Sequence, residues 1–286
     1  MSQGTTIILG AIAGLTLLLG LPVARLRRLS PKTQGFLNAL ATGILIFLVW
    51  DVISKANEPV VKALDGVKSG SPNDFLAMGG LFVGGIALGL LALVYANRAM
   101  TRRYLAHKAA IAARTGEGPG AAVSATAMPI PVAAASGRWL AMMIAIGLGL
   151  HNFSEGLAIG TSAAAGAIGF ATVLIIGFGL HNVTEGFGIA APTATDAQPP
   201  SWLFLLAAGL IGGAPTFIGT VIGYNVSNTY VFVLFLALAA GALIYVISEM
   251  IAVGRRMNSQ AMLAWGLLLG FLAGYSTDLL LHFAGG

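Results

Sequence analysis

The sequence predicts an all-α polytopic membrane protein of about eight transmembrane helices, and three observations carry that reading. Hydrophobic residues make up 57% of the chain and charged residues only 9%, against roughly a quarter charged in an ordinary soluble domain. Apolar windows long enough to cross a ~30 Å hydrocarbon layer recur along nearly all 286 residues. Lys and Arg collect in alternate connections, as they do when cytoplasmic loops retain positive charge.

The spans fall near residues 4 to 24, 35 to 56, 75 to 97, 138 to 163, 167 to 191, 202 to 225, 229 to 253 and 261 to 284. Span one is followed, not preceded, by Arg25, Arg27 and Arg28, so it reads as a retained helix with its N-terminus outside instead of a cleaved signal. With that orientation twelve of the fifteen basic residues lie inside: Arg25, Arg27, Arg28, Lys32, Arg98, Arg102, Arg103, Lys108, Arg114, Arg138, Arg255 and Arg256. Lys55, Lys62 and Lys68 remain outside, and both termini are outside. The net charge of +5 is thus a topology signal and implies no nucleic-acid partner. Residues 1 to 286 form a single transmembrane domain. Within it, residues 98 to 137 run from a basic stretch into Gly, Ala, Pro and Ser and read as a flexible cytoplasmic loop between spans three and four. Glycines at small-xxx-small spacing, Gly80/Gly84, Gly85/Gly89 and Gly266/Gly270/Gly274, suit close helix packing within the bundle better than a dimer face.

Residues 147 to 160 read GLGLHNFSEGLAIG, and residues 177 to 190 read GFGLHNVTEGFGIA. Eight of these fourteen positions are identical, so spans four and five carry the same constellation, His-Asn-x-x-Glu-Gly. On a helix His151 and Glu155 stand at i and i+4, with Asn152 three residues before Glu155, so all three share one face. His181, Asn182 and Glu185 repeat the arrangement. Two such faces opposed would supply two imidazoles, two carboxylates and two amide oxygens. That set suits zinc, ferrous iron, manganese, cobalt or cadmium, whereas calcium prefers an all-oxygen shell. The chain has no cysteine, which excludes disulfides and thiolate metal sites.

Five of the ten acidic residues, Asp51, Glu155, Glu185, Glu249 and Asp278, fall in predicted spans with no Lys or Arg at equal depth. Such groups bind cations or protons or meet an aqueous vestibule. Asp51, Glu249 and Asp278 are pathway or gate candidates, and each has an ordinary alternative: a solvated span end for Asp51 and Asp278, a terminal ion pair for Glu249. His107 and His282 stand alone in a loop and at a terminus and carry no site.

The paired motif, the eight spans and the long inside loop together resemble the ZIP (Zrt-, Irt-like protein) family of metal transporters, including its bacterial GufA-like branch. LVWDVISKA in span two, GGAPTFIG in span six and AGALIYVISEM in span seven support the likeness. The resemblance implies transport of a divalent metal, zinc foremost, toward the cytosol through a site between spans four and five. It also implies a 3+2+3 inverted-repeat bundle, a homodimer in a bacterial inner membrane, and movement of spans one, four, five and six against the other four. Ser154 and Thr184 stand where the family has Pro, and Ala214 where relatives with a two-metal site carry Glu before Pro215. Ile44 and Leu45 replace a methionine that some relatives place in span two, and His107 is the only histidine of a loop that is often His-rich. Ser154 and Thr184 are expected to bond back to the carbonyls of Leu150 and Leu180 and bend their helices gently. No cofactor and no enzymatic activity are implied. The runner-up reading is an intramembrane metal-dependent hydrolase, which the absence of HExxH disfavours. A proton- or sodium-coupled carrier of an organic solute stands third.

The orientation has a direct test. A cysteine introduced at Gly116, in a chain without others, is expected to resist an impermeant external thiol reagent and to react after permeabilisation. Labelling in intact cells would reverse the topology.

Overall fold

The computed structural model describes residues 1 to 25, 30 to 68, 72 to 115, 137 to 196, 198 to 226, 228 to 257 and 259 to 285. Eight helical segments among them are long and apolar enough to cross a membrane, and there is no strand among the described residues. This is an all-α integral membrane protein. Span one comprises a helix over Gln3–Leu15, Thr16 with helical backbone angles, a helical turn over Leu17–Gly20 and a 3-10 segment over Leu21–Arg25. Spans two to eight are the helices Pro31–Lys68, Asn73–Thr115, Gly137–Ala164, Ile168–Ala190, Trp202–Asn225, Thr229–Met257 and Gln260–Gly285.

Two helices outrun their apolar windows. Span two continues through Pro59 to Lys68, and its polar extension carries the i,i+4 ion pairs Asp51–Lys55 and Glu58–Lys62 at 2.7 and 2.6 Å. Such pairs support a helix that leaves the hydrocarbon layer. Span three continues to Thr115, so residues 98 to 115 are helix where the sequence reading began a flexible loop. The stretch is rich in alanine, lysine and arginine, whose helix propensity holds without burial. Residues 116 to 136 of that expected loop lie outside the described residues.

The helices pack as two groups of four, spans one, four, five and six against spans two, three, seven and eight. Glycine defines the grouping. Spans four and six interlock so that a Cβ at Gly156 would fall on the Thr216 carbonyl, and one at Gly219 on the Phe153 carbonyl. Spans two and eight do the same through Gly43 on Leu267 and Gly270 on Leu40. Without water to drive association, backbones brought this close gain the dispersion contact that holds helices together in lipid. Among the described glycines, every place where a Cβ would overlap a neighbour lies inside one group, and none lies between the groups. Across the seam Gly147 of span four meets Ala242 of span seven at an ordinary 3.5 Å, and Phe153 packs on Phe235 with ring centroids 4.2 Å apart. Gly85, Gly89, Gly266, Gly270 and Gly274 pack within the bundle as expected, while Gly80 and Gly84 face open space.

A clasp at one end of the first group joins segments distant in sequence. Asp196 accepts from the backbone N–H of Gly137 at 2.7 Å and of Arg138 at 3.1 Å, which caps the start of span four. Arg138 donates to the carbonyls of Gln198 and Pro199, and Arg25 donates to the Pro200 carbonyl at 2.7 Å while lying over the Trp202 ring. These arginines, read from the sequence as topology charges, also tie spans one, four and six together.

Replacement of Gly219 by leucine is expected to lower the yield of monodisperse protein by roughly an order of magnitude through overpacking, whereas Gly84→Leu leaves it near the wild-type level. Size-exclusion profiles of the two variants in detergent decide the matter. Equal yields would show that the close approach of spans four and six is dispensable.

Candidate metal centre

Both copies of the repeated motif lie mid-helix, and their polar side chains turn inward. His151, Asn152 and Glu155 on span four and His181, Asn182 and Glu185 on span five are all buried. The fourth and fifth spans adopt uninterrupted helix through the motifs because Ser and Thr, unlike proline, keep the backbone donor. Ser154 bonds back to the Leu150 carbonyl at 3.4 Å, as expected. Thr184 does not reach Leu180. Its hydroxyl donates to the His181 carbonyl, three residues back, at 2.6 Å. A threonine hydroxyl has both carbonyls within rotamer reach, and the nearer turn wins here.

One ligand atom each from His151, Glu155 and His181 lies within 4.8 Å of the others. His151 Nε2 is 3.2 Å from Glu155 Oε1 and 3.9 Å from Glu185 Oε1, and His181 Nε2 is 3.6 Å from Glu185 Oε1. Tetrahedral ligands on zinc at ~2.0–2.1 Å are separated by roughly 3.3 Å, so these gaps are close to the spacing of atoms that share one ion. The hydrogen-bond inventory agrees. Both nitrogens of His151, Nε2 of His181, Oε2 of Glu155, Oε1 of Glu185 and the Oδ1 atoms of Asn152 and Asn182 are buried without a hydrogen-bond partner. Buried polar atoms are rarely left so, and carboxylate oxygens and imidazole nitrogens that converge without bonding one another fit a cation. The donor set of nitrogen and oxygen suits a borderline dication.

The asparagines take a more particular place than their spacing indicates. Asn152 Nδ2 donates to Glu185 Oε2 at 2.9 Å and to the Gly212 carbonyl of span six at 3.0 Å. It therefore ties up one carboxylate oxygen of the other repeat and leaves Oε1 toward the histidines. Asn182 Nδ2 donates to the Ala13 carbonyl of span one at 2.9 Å. Carbonyls and carboxylates only accept, so both amides are fixed with nitrogen toward these partners. Helix periodicity finds the asparagines, but nothing local in the sequence announces Gly212 or Ala13 as their partners.

The three remaining acidic candidates stand outside the group. Asp51 forms its ion pair with Lys55 one turn along span two. Glu249 bonds to Tyr245 one turn earlier on span seven and feels the charge of Arg256. Nearby, Asn97 of span three accepts from Trp139 Nε1 of span four at 2.8 Å. Asp278 lies partly buried on span eight.

The charge of the centre limits its load. Glu155 and Glu185 neutralise one dication and fall short for two at close range. Equilibrium dialysis of the purified protein with cadmium is expected to give one tightly bound ion per chain, with an affinity reduced at least ~10-fold by alanine at His151, Glu155, His181 or Glu185. Two adjacent ions of equal occupancy, or full affinity in the Glu155 and Glu185 variants, would refute the assignment. Comparison with models of protein families and with curated proteins returns no match to this chain.

Proposed function

We propose that this chain is a divalent-metal transporter that resembles the ZIP family and carries its ion between spans four and five toward the cytosol. The observation that carries the reading is the buried convergence of His151, Glu155, His181 and Glu185, two from each copy of one repeat, inside a bundle of eight membrane-spanning helices. Charged groups at bilayer depth cost at least ~2.5–3.5 kcal/mol each by insertion scales, so four ionisable side chains without a basic partner need a cationic occupant to be worth keeping. Zinc is the first candidate, with cadmium, ferrous iron, manganese and cobalt as competitors.

The packing supports movement of the ion by alternating access. Every ligand of the centre belongs to the group of spans one, four, five and six, which glycine contacts lock into one body. The facing group meets it across a seam of aliphatic and aromatic side chains. A body that holds the site and a partner that does not interlock with it can shift relative to one another without breaking backbone-to-backbone contacts. The open face of span three at Gly80 and Gly84 is compatible with a homodimer, and a bacterial inner membrane is the setting the family likeness suggests.

Uptake by proteoliposomes containing only the purified protein tests the reading. Time-dependent accumulation of at least one of zinc, cadmium, iron, manganese or cobalt is expected, with loss of most of the rate in Glu185→Ala. Absence of uptake for all five would overturn it.

A further inference from the structure

Span one touches the metal centre through backbone and a hydroxyl, with no ligand of its own. Two helical stretches of span one join at Thr16, and just there it meets span five. Thr16 Oγ1 lies 2.6 Å from the Ala13 carbonyl and 2.6 Å from the Gly179 carbonyl of span five. Asn182 Nδ2 lies 2.9 Å from that same Ala13 carbonyl. A hydroxyl has one proton, so with Asn182 already donating to Ala13 the Thr16 proton is free to serve Gly179. The result is a reciprocal clasp: residue 16 donates to carbonyl 179, and residue 182 donates to carbonyl 13. The geometry follows from helix chirality. Gly179 meets Ala13 and, two turns on, Gly186 meets Gly20, so the two spans run the same way, and side chains that lean toward their own N-terminus each reach a carbonyl one turn earlier on the neighbour.

The other repeat has a counterpart. Asn152 donates to the Gly212 carbonyl of span six, and Pro215 follows Gly212 by three residues, as Thr16 follows Ala13. Each asparagine of the centre is therefore held by a carbonyl on a flanking span, three residues before Thr16 in one case and Pro215 in the other. In both cases the nitrogen is occupied and Oδ1 is buried with no donor.

We propose that Thr16 is a positioning residue of the metal centre: through Ala13 and Gly179 it fixes Asn182 with its amide oxygen as the free ligand, and so favours oxygen-seeking dications. This deepens the transport reading and rests on it. Without the hydroxyl, span one loses its bond to Gly179, the Ala13 carbonyl is no longer held against Asn182, and the amide can turn its nitrogen toward the cation. Manganese, which depends on oxygen donors, suffers more from that turn than zinc, which the imidazoles bind strongly.

Titration calorimetry of the purified full-length protein in detergent, with manganese chloride and zinc chloride as separate probes, tests the proposal. Thr16→Val is expected to weaken manganese about 10-fold and zinc less than about 3-fold, within the range that outer-shell partners of metal ligands produce. Thr16→Ser should restore both, and Thr16→Ala provides a second truncation should the valine variant fail to fold. In an Asn182→Leu background, Thr16→Val should have no further effect. Unchanged affinities, an equal loss for both metals, or a full additional loss in the Asn182→Leu background would each overturn the positioning role. If the wild-type protein binds neither metal, the metal-centre reading itself falls.

Discussion

The desolvation of ionisable groups in hydrocarbon is the constraint on which the rest of this structure depends. Two histidines and two glutamates sit buried at the middle of two adjacent helices, and no lysine or arginine shares their depth. Lipid offers such groups nothing, so the helices that carry them must be enclosed by others. Spans four and five are accordingly walled by spans one and six on one side and spans two, seven and eight on the other. Close enclosure needs small residues, and Gly14, Gly20, Gly156, Gly186, Gly213 and Gly219 let the backbones of spans one and six come within contact of the motif-bearing helices or of each other.

The same constraint explains why the fold was readable and where reading stopped. Apolar windows of membrane length repeat because each helix must satisfy its own backbone, and this placed all eight spans. The site was legible for a related reason. His151 and Glu155 are four residues apart and recur thirty positions later as His181 and Glu185, so helical geometry alone puts each pair on one face. What lies opposite a face is not written in its periodicity. That the Asn182 amide would find the Ala13 carbonyl, 169 residues away, depends on which helices become neighbours. Asp196 illustrates the same gap: it reads as one loop residue among several, and only the fold brings it to the start of span four. The helical run of span three to Thr115 was missed for a different reason, since hydropathy marks where a membrane ends and says nothing of where a helix does.

The helices that carry the repeated motif are regular throughout it. Ser154 and Thr184 stand inside them, and their hydroxyls return to carbonyls of their own helices at Leu150 and His181. The motif helices keep their backbone bonds, and the ligands ride on regular helix. In the flanking spans Thr16 joins two helical stretches and Pro215 lies inside a continuous helix, each three residues after a carbonyl that receives an asparagine of the cluster. A rigid helix holds a histidine and a glutamate at fixed separation, which serves affinity. The carbonyls of Ala13 and Gly212, on spans one and six, fix the two asparagines in turn. The inward-facing groups of the repeat are thus set by two different means, periodicity within one helix for each His–Glu pair and contact between helices for each asparagine, and only the first of these is written in the sequence.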